Sequence, residues 1–584
     1  MDDSSDESSI EDVLLALLEK LHQTNSDKVE RLLAGFLLYN KPDFRATNKA
    51  GLTCLHLAAT SASVTSLKLL LKKGADPNAA SAEKAVEPPL HAAARAGRDK
   101  NVDLLLEWGA DIHMTHVVGR TALHAATVNN QFSTIKVLLI NNANVDQQDD
   151  RGMTALCLAA AETRASMPRK SMYSTAAMET LIKGGADLDI PDCDGWTALH
   201  HGSMSKAAIA TSFVSTLICH GADVNIKAIK GGWTALHNAS ECSHAETVKG
   251  LLQAGANINE KSADGSTALH LASLSASGSS RVRVLIDHGA DVSVKDEDGC
   301  TALHNASECS GAETVEHLLQ AGADIEERNE EGSTALHLAS LSDSGSSRVR
   351  VLIDYGANFS VKDQNGRTAL HNAVESGSDT TLNFLLGSGA SVDEKDHQGL
   401  TALHLACMSL SSITKVYILI RQGASVNIKD EGGQTALHYA TGAGNELAIC
   451  SLLDYGADGA VKGDFRGKSA HLKAKNMLTE PFGHCGQAEK SQERKWLHEA
   501  VVTGNMEEVE RCLEAEEFDV NTPDYHGQTL LHIAIHTRAV PMIVLLVEKG
   551  ADTEALNHEG KTPFDIAFEH KATSVMMAMV AVSL

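Results

Sequence analysis

The chain is expected to be all-α, a solenoid of stacked helix–turn–helix units, and three observations lead there. Thr-Ala-Leu-His or a near variant begins at Thr53, Pro88, Thr121, Thr154, Thr197, Thr234, Thr267, Thr301, Thr334, Thr368, Thr401, Thr435 and Thr529, mostly 33 or 34 residues apart. Weaker starts at Ser469, Lys495 and Thr562 bring the number to sixteen. A Gly-Ala pair follows the Thr by 21 or 22 residues in most copies, as at Gly74, Gly255 and Gly389, and the next Thr usually comes twelve residues later. Such a period marks a small unit that cannot bury its apolar face alone, so neighbours must stack.

Residues 301–333 show how each element arises. Thr301 suits a helix N-cap, its hydroxyl accepting a hydrogen bond from an otherwise unpaired N–H, and Ala302 suits the first helical position. Leu303 turns inward. Thr314, Val315, Leu318 and Leu319, at i, i+1, i+4 and i+5, give a second helix one apolar face. Gly322 supplies the left-handed residue that ends it. The glycine before each Thr, as in Asp264-Gly265 and Asn365-Gly366, gives the connecting loop a positive-φ turn.

The Thr-x-Leu-His-x-Ala motif, Gly-Ala after a Val-x-x-Leu-Leu stretch and the 33-residue period resemble the ankyrin-repeat family over residues 45–584. The resemblance implies a turn, two antiparallel helices and a β-hairpin-like finger loop in every unit. It also implies a protein-binding surface on the concave side, built from fingers and inner helices.

The breaks in spacing locate the domains. About ten extra residues separate the two helices of the Thr154 repeat, three those of the Thr197 repeat, and one those of the Thr267, Thr334 and Thr401 repeats. The fingers stay regular, except that Gly74 to Pro88 is longer and lacks the turn glycine. Residues 234–300 and 301–367 match at 51 of 67 positions, so a two-repeat block was duplicated. The expected organisation is an acidic Ser-rich disordered tail at 1–10 and a main array with an N-terminal helical cap at 11–472. A polar connector with a degenerate repeat at 473–492 then leads to a short array at 493–584.

Composition narrows the function. Lys and Arg number 50 against 76 Asp and Glu, a net charge of −26, which disfavours nucleic-acid backbones and favours partners with basic surfaces. Eleven scattered cysteines, with no C-x-x-C pair and no signal peptide, point to reduced thiols and to the cytoplasm, with the nucleus as the alternative. No apolar run approaches the ~18 residues of a transmembrane helix.

Thirteen of the 28 histidines fill the fourth motif position. They carry no neighbouring ligands at metal spacing and recur too uniformly for a catalytic pair, so the expected role is a local hydrogen bond near each first helix, with no cofactor and no metal. The sequence holds no metalloprotease, phosphate-loop or nucleophile-elbow motif. The chain is expected to be a non-enzymatic scaffold or adaptor. A regulatory or substrate-targeting subunit of a kinase, phosphatase or ubiquitin ligase complex is the alternative.

Candidate protein-binding residues are Trp196, Trp233 and Arg367, just before the motif threonines, and Glu241, Glu308 and Glu375 on first helices. They match the variable contact positions that the family resemblance implies. The tryptophans either anchor a partner or pack along their own fingers. Ser4, Ser8 and Ser9 each precede an acid by three, which suits acidophilic phosphorylation or helix capping. The basic loop Arg164–Lys170 reads as a docking insertion or a tolerated one. By resemblance, Asn78, Asn225, Asn259 and Asn427 are hydroxylation candidates or structural finger residues. The apolar stretch 575–582 is expected to dock another segment, to dimerise or to belong to a longer chain, since terminal repeats normally present a polar face.

Overall fold

A computed structural model describes residues 9–24, 26–79, 87–161, 175–206, 208–409, 412–458 and, with short gaps, 500–577. Residues 1–8 of the expected tail, the basic loop 164–170, the connector 473–492 and most of 575–582 lie outside the described residues, while Ser9 and Ile10, placed in that tail by the sequence, cap and begin the first helix. The chain divides into two compact units, residues 1–297 and 298–584. Each is built of paired helices in the expected order, and the described residues include no strand, only the isolated bridges Thr47–Thr53 and His116–Arg120.

One repeat explains the rest. Thr301 caps the first helix Ala302–Cys309, and the second helix runs over Ala312–Gln320. Leu303, Thr314, Val315 and Leu318 are fully buried, while Leu319 is half-buried at the edge. Each such leucine withdraws enough apolar surface to contribute ~1.5–3 kcal/mol. Gly322 has φ 88°, and the N–H groups of Gly322 and Ala323 close the helix end on Leu319 O and Leu318 O.

The first stack opens with the helices Ile10–Thr24 and Asp27–Tyr39, and Leu14, Leu15, Leu18 and Leu21 of the first are buried against it. Ser9 caps that helix reciprocally with Asp12, each backbone N–H donating to the other's side-chain oxygen at 3.2 and 3.1 Å. Of the two roles open to Ser9, the capping box is therefore formed.

The fingers are tight turns. Gly332 N–H donates to Asn329 O and Asn329 N–H to Ser333 O. Neighbouring finger tips are joined by one backbone hydrogen bond each. In the first unit these run Asp150 N to Val118 O, Cys193 N to Arg151 O, Lys230 N to Asp194 O, Ala263 N to Gly231 O and Glu297 N to Asp264 O. In the second they run Glu330 N to Asp298 O, Gln364 N to Glu331 O, His397 N to Asn365 O and Glu431 N to Gln398 O. The regular finger length that the sequence kept is what this ladder requires.

One finger places a β-branched residue in the left-handed region. Val118 and Gly119 both have positive φ, 68° and 69°, the two-residue geometry that favours Asn-Gly. A β-branched side chain there is strained by about 1–2 kcal/mol. Val118→Asn is therefore expected to stabilise the first unit by about 1 kcal/mol in urea denaturation, and a loss of stability would show that the turn is not strained.

Candidate partner-binding surface

The motif threonine and histidine build the frame on which the surface sits. Thr301 N–H donates to His304 Nδ1 at 3.1 Å, and His304 Nε2 lies 3.1 Å from Ser333 O, the residue before the next motif threonine. Because Nδ1 accepts, the proton sits on Nε2, which donates across to the neighbouring repeat. The same bridge joins His56 to Glu87 O, His91 to Arg120 O, His124 to Met153 O, His200 to Trp233 O and His371 to Leu400 O. The expected local bond is present in these repeats except at His91, whose motif start Pro88 has no N–H to give, and an inter-repeat bond accompanies it. Burial depresses the basicity of His56, His91, His124, His200 and His371, and His91 and His200 are lowered to about 4.

The candidate asparagines are likewise structural. Asn78 Nδ2 donates to Gly109 O at 3.0 Å while its Oδ1 accepts from Asp111 N–H, and Asn225 and Asn427 repeat both bonds one unit on. Asn259 Oδ1 accepts from Asp291 N–H.

Six candidate binding residues line the finger bases and inner helices. Trp196 and Trp233 are half-buried, their rings over the motif histidines of their own repeats, at 6.4 Å from His200 and 6.2 Å from His237. Trp196 also lies 5.4 Å from His201, which donates through Nε2 to Asp192 at 2.8 Å. Glu241 and Glu308 are exposed and form no ion pair among the described residues. Arg367 and Glu375 meet each other at 2.7 Å, so this pair is partly self-satisfied. Arg95–Glu87 and Lys561–Glu569 have the same placement, which shows that the residue before a motif start faces the one seven after it.

Sequence reasoning missed three features. Ile229 stands 80% exposed on a finger tip, its backbone so close to Gly195 that a Cβ there would meet Ile229 N at 2.2 Å. Leu274, Leu341 and Met408 are partly exposed at the position seven after the motif threonine, alternating along the chain with Glu241, Glu308 and Glu375. That alternation is visible in the letters, but not its exposure. Arg281 and Arg348 are buried, each donating through Nη1 to the carbonyl that ends the preceding first helix, Ser243 O and Ser310 O. Burial lowers the basicity of both.

Among the described residues no group of three or more His, Cys, Asp or Glu converges as metal ligands, and no helix is long and apolar enough to cross a membrane.

Family models described as ankyrin repeats in three copies match residues 21–116, 90–169, 170–262, 255–329, 309–396 and 378–462, and one of many copies matches 513–567. The chain is an ankyrin-repeat protein. Its relatives include the mouse (Mus musculus) B-cell lymphoma 3 protein homolog, 32% identical over 26% of this chain and 33% of the relative. The chicken (Gallus gallus) nuclear factor NF-kappa-B p105 subunit is 33% identical over 34% and 20%. The palmitoyltransferase AKR1 of Lachancea kluyveri is 28% identical over 37% and 28%. The matches span a third or less of each relative's length. The solved ankyrin repeat domain of Bcl-3 aligns with 40% of this ankyrin-repeat chain and 98% of its own, at 29% identity and a TM-score of 0.34. Ankyrin repeats are protein–protein interaction modules, and that general role belongs to this chain.

Proposed function

We infer that this ankyrin-repeat protein is a non-enzymatic scaffold or adaptor that presents its finger bases and inner helices to partner proteins with basic surfaces. One observation carries the reading. The frame is held by backbone bonds and motif histidines, whereas Leu341 and Ile229 stand exposed beside Glu241 and Glu308, which form no ion pair among the described residues. A stack made in this way pre-organises many shallow contacts, so little ordering entropy is lost on binding. The Thr–His pairs, which could otherwise suggest chemistry, are occupied in helix capping in the repeats whose bonds are described.

The test is a partner captured by proximity labelling and then measured against purified chain. Trp196→Ala with Trp233→Ala is expected to weaken binding by about tenfold or more without changing the helical signal. Unchanged affinity would remove the tryptophans from the site. The on-rate is expected to fall as salt rises, since the net charge is −26.

A further inference from the structure

The duplicated block has diverged unevenly. Residues 234–300 and 301–367 differ at 16 positions, and six of these fall within the eight residues 324–331 of one finger. Asn257, Asn259, Lys261, Ser262, Ala263 and Asp264 of the first copy stand where Asp324, Glu326, Arg328, Asn329, Glu330 and Glu331 stand in the second. The segment's charge changes from −1, Lys261 against Glu260 and Asp264, to −4, Arg328 against Asp324, Glu326, Glu327, Glu330 and Glu331.

The fold does not require these acids. Both fingers close the same turn, Gly265 N to Ser262 O at 3.1 Å and Gly332 N to Asn329 O at 2.9 Å. Asn259 and Glu326 both accept the N–H of the next repeat's stem, from Asp291 and Asn358. Nor are Glu330 and Glu331 neutralised. Arg328 donates to Lys362 O, and Lys362 holds Glu394 at 2.9 Å. Glu330 and Glu331 are exposed and form no ion pair among the described residues.

The inner helices of the same unit carry a matching alternation. The residues four and seven after successive motif threonines are Asn305 and Glu308, Leu338 and Leu341, Asn372 and Glu375, then Leu405 and Met408. Leu341 is 37% and Met408 41% exposed. The charge of Glu308 acts on the buried Arg348, whose Nη1 donates to Ser310 O, and Glu375 is bridged by Arg367. The uncompensated charge therefore lies on the finger, and the uncovered apolar surface on the Leu338–Leu341 step.

We propose that this face of the 298–584 unit binds an extended segment of a partner protein in which Lys or Arg alternates with bulky apolar residues. Neighbouring helices pack ~8–10 Å apart and an extended chain advances ~3.3 Å per residue, so one repeat corresponds to about three residues of the segment. A basic residue sits against Glu330 and Glu331, an apolar one three places on covers Leu338 and Leu341, and a second apolar one, six places further, reaches Leu405 and Met408. The proposal rests on the scaffold reading and adds the chemistry of the partner.

The probe is a fluorescent peptide of three Lys-Gly-Ser-Leu-Gly-Ser units, titrated into the full chain by anisotropy. The control is a peptide of equal composition with lysines at one end and leucines at the other. The decisive variant gives the second finger four residues of the first, Asp324→Asn, Glu326→Asn, Glu330→Ala and Glu331→Asp, which the sibling finger already folds with. Leu341→Ser is the apolar counterpart. The alternating peptide is expected to bind about tenfold tighter than the control, and each variant to lose about tenfold. Equal affinity for the two peptides, no effect of the finger variant, or no binding overturns the proposal. Should a captured native partner still depend on Trp196 and Trp233 while the peptide does not bind, the scaffold reading stands and this one falls.

Discussion

Lowering the pH from 7.5 to 5 is expected to destabilise the chain sharply, well before its carboxylates titrate. Burial depresses the basicity of His56, His91, His124, His200 and His237 in the first unit and of His337, His371 and His404 in the second. Folded rings therefore stay neutral where unfolded ones take a proton. Stability is whole above the unfolded value of ~6.5, falls as the pH drops through it, and is fully lost once the folded value is passed. For His91 and His200, lowered to about 4, each imidazole forfeits about 2 kcal/mol by pH 5. Except at His91, whose motif start Pro88 has no N–H, protonation would also place a hydrogen on Nδ1, facing the Thr N–H that it now accepts. Because a repeat stack is not a single two-state unit, the loss should appear as a broadened transition. Circular-dichroism melts are expected to shift down by roughly 10 °C between pH 7.5 and 5. A midpoint unchanged at pH 5.5 would mean that the histidines are not the buried neutral bridges described.

Removing one bridge should have a comparable local effect. His371 is fully buried, accepts Thr368 N–H at 3.1 Å and donates to Leu400 O at 3.2 Å. His371→Leu keeps the volume apolar but leaves a buried donor and a buried acceptor unpaired, at about 1–3 kcal/mol each. Amide exchange in residues 368–400 is expected to quicken by about two orders of magnitude, with little change in the 1–297 unit. Thr368→Ser, which keeps the cap, is the mild control. Unchanged exchange in His371→Leu would show that neither bond matters. The Thr154 repeat is a natural counterpart, since Cys157 holds the histidine position and its sulfur reaches Ile190 O at 3.8 Å.

Much of this was legible in the letters because the repeat restates its own rules. Thr at each N-cap, Gly at each positive-φ turn and the Val-x-x-Leu-Leu face are local requirements, and local requirements leave local signatures. The Nε2 bond to the next repeat was not readable, because it depends on a carbonyl about 30 residues away whose direction only stacking sets. That Trp196 and Trp233 stand on fingers follows from the letters, but that their rings rest on His200 and His237 follows only from the fold. Arg367 and Glu375 were marked separately, and the ion pair joining them follows from the finger facing the inner helix. Buried Arg281 and Arg348 ran against composition, since arginine at a loop-to-helix junction ordinarily reads as solvated.

The finger ladder has a consequence for how such an array changes length. Each rung uses only backbone atoms, and each histidine bridge ends on a backbone carbonyl, so neither bond inspects the side chains of the repeat it reaches. Repeats are thus interchangeable parts with a common coupling. Excising residues 334–400 would set the TALHLA of Thr401 directly after Ser333, where the TALHLA of Thr334 stood, with a finger of unaltered length before it. The coupling would re-form with no compensating substitution, and a shorter stack would fold at once. The chain can therefore be lengthened or trimmed by whole units, leaving recognition to whichever side chains the retained units display.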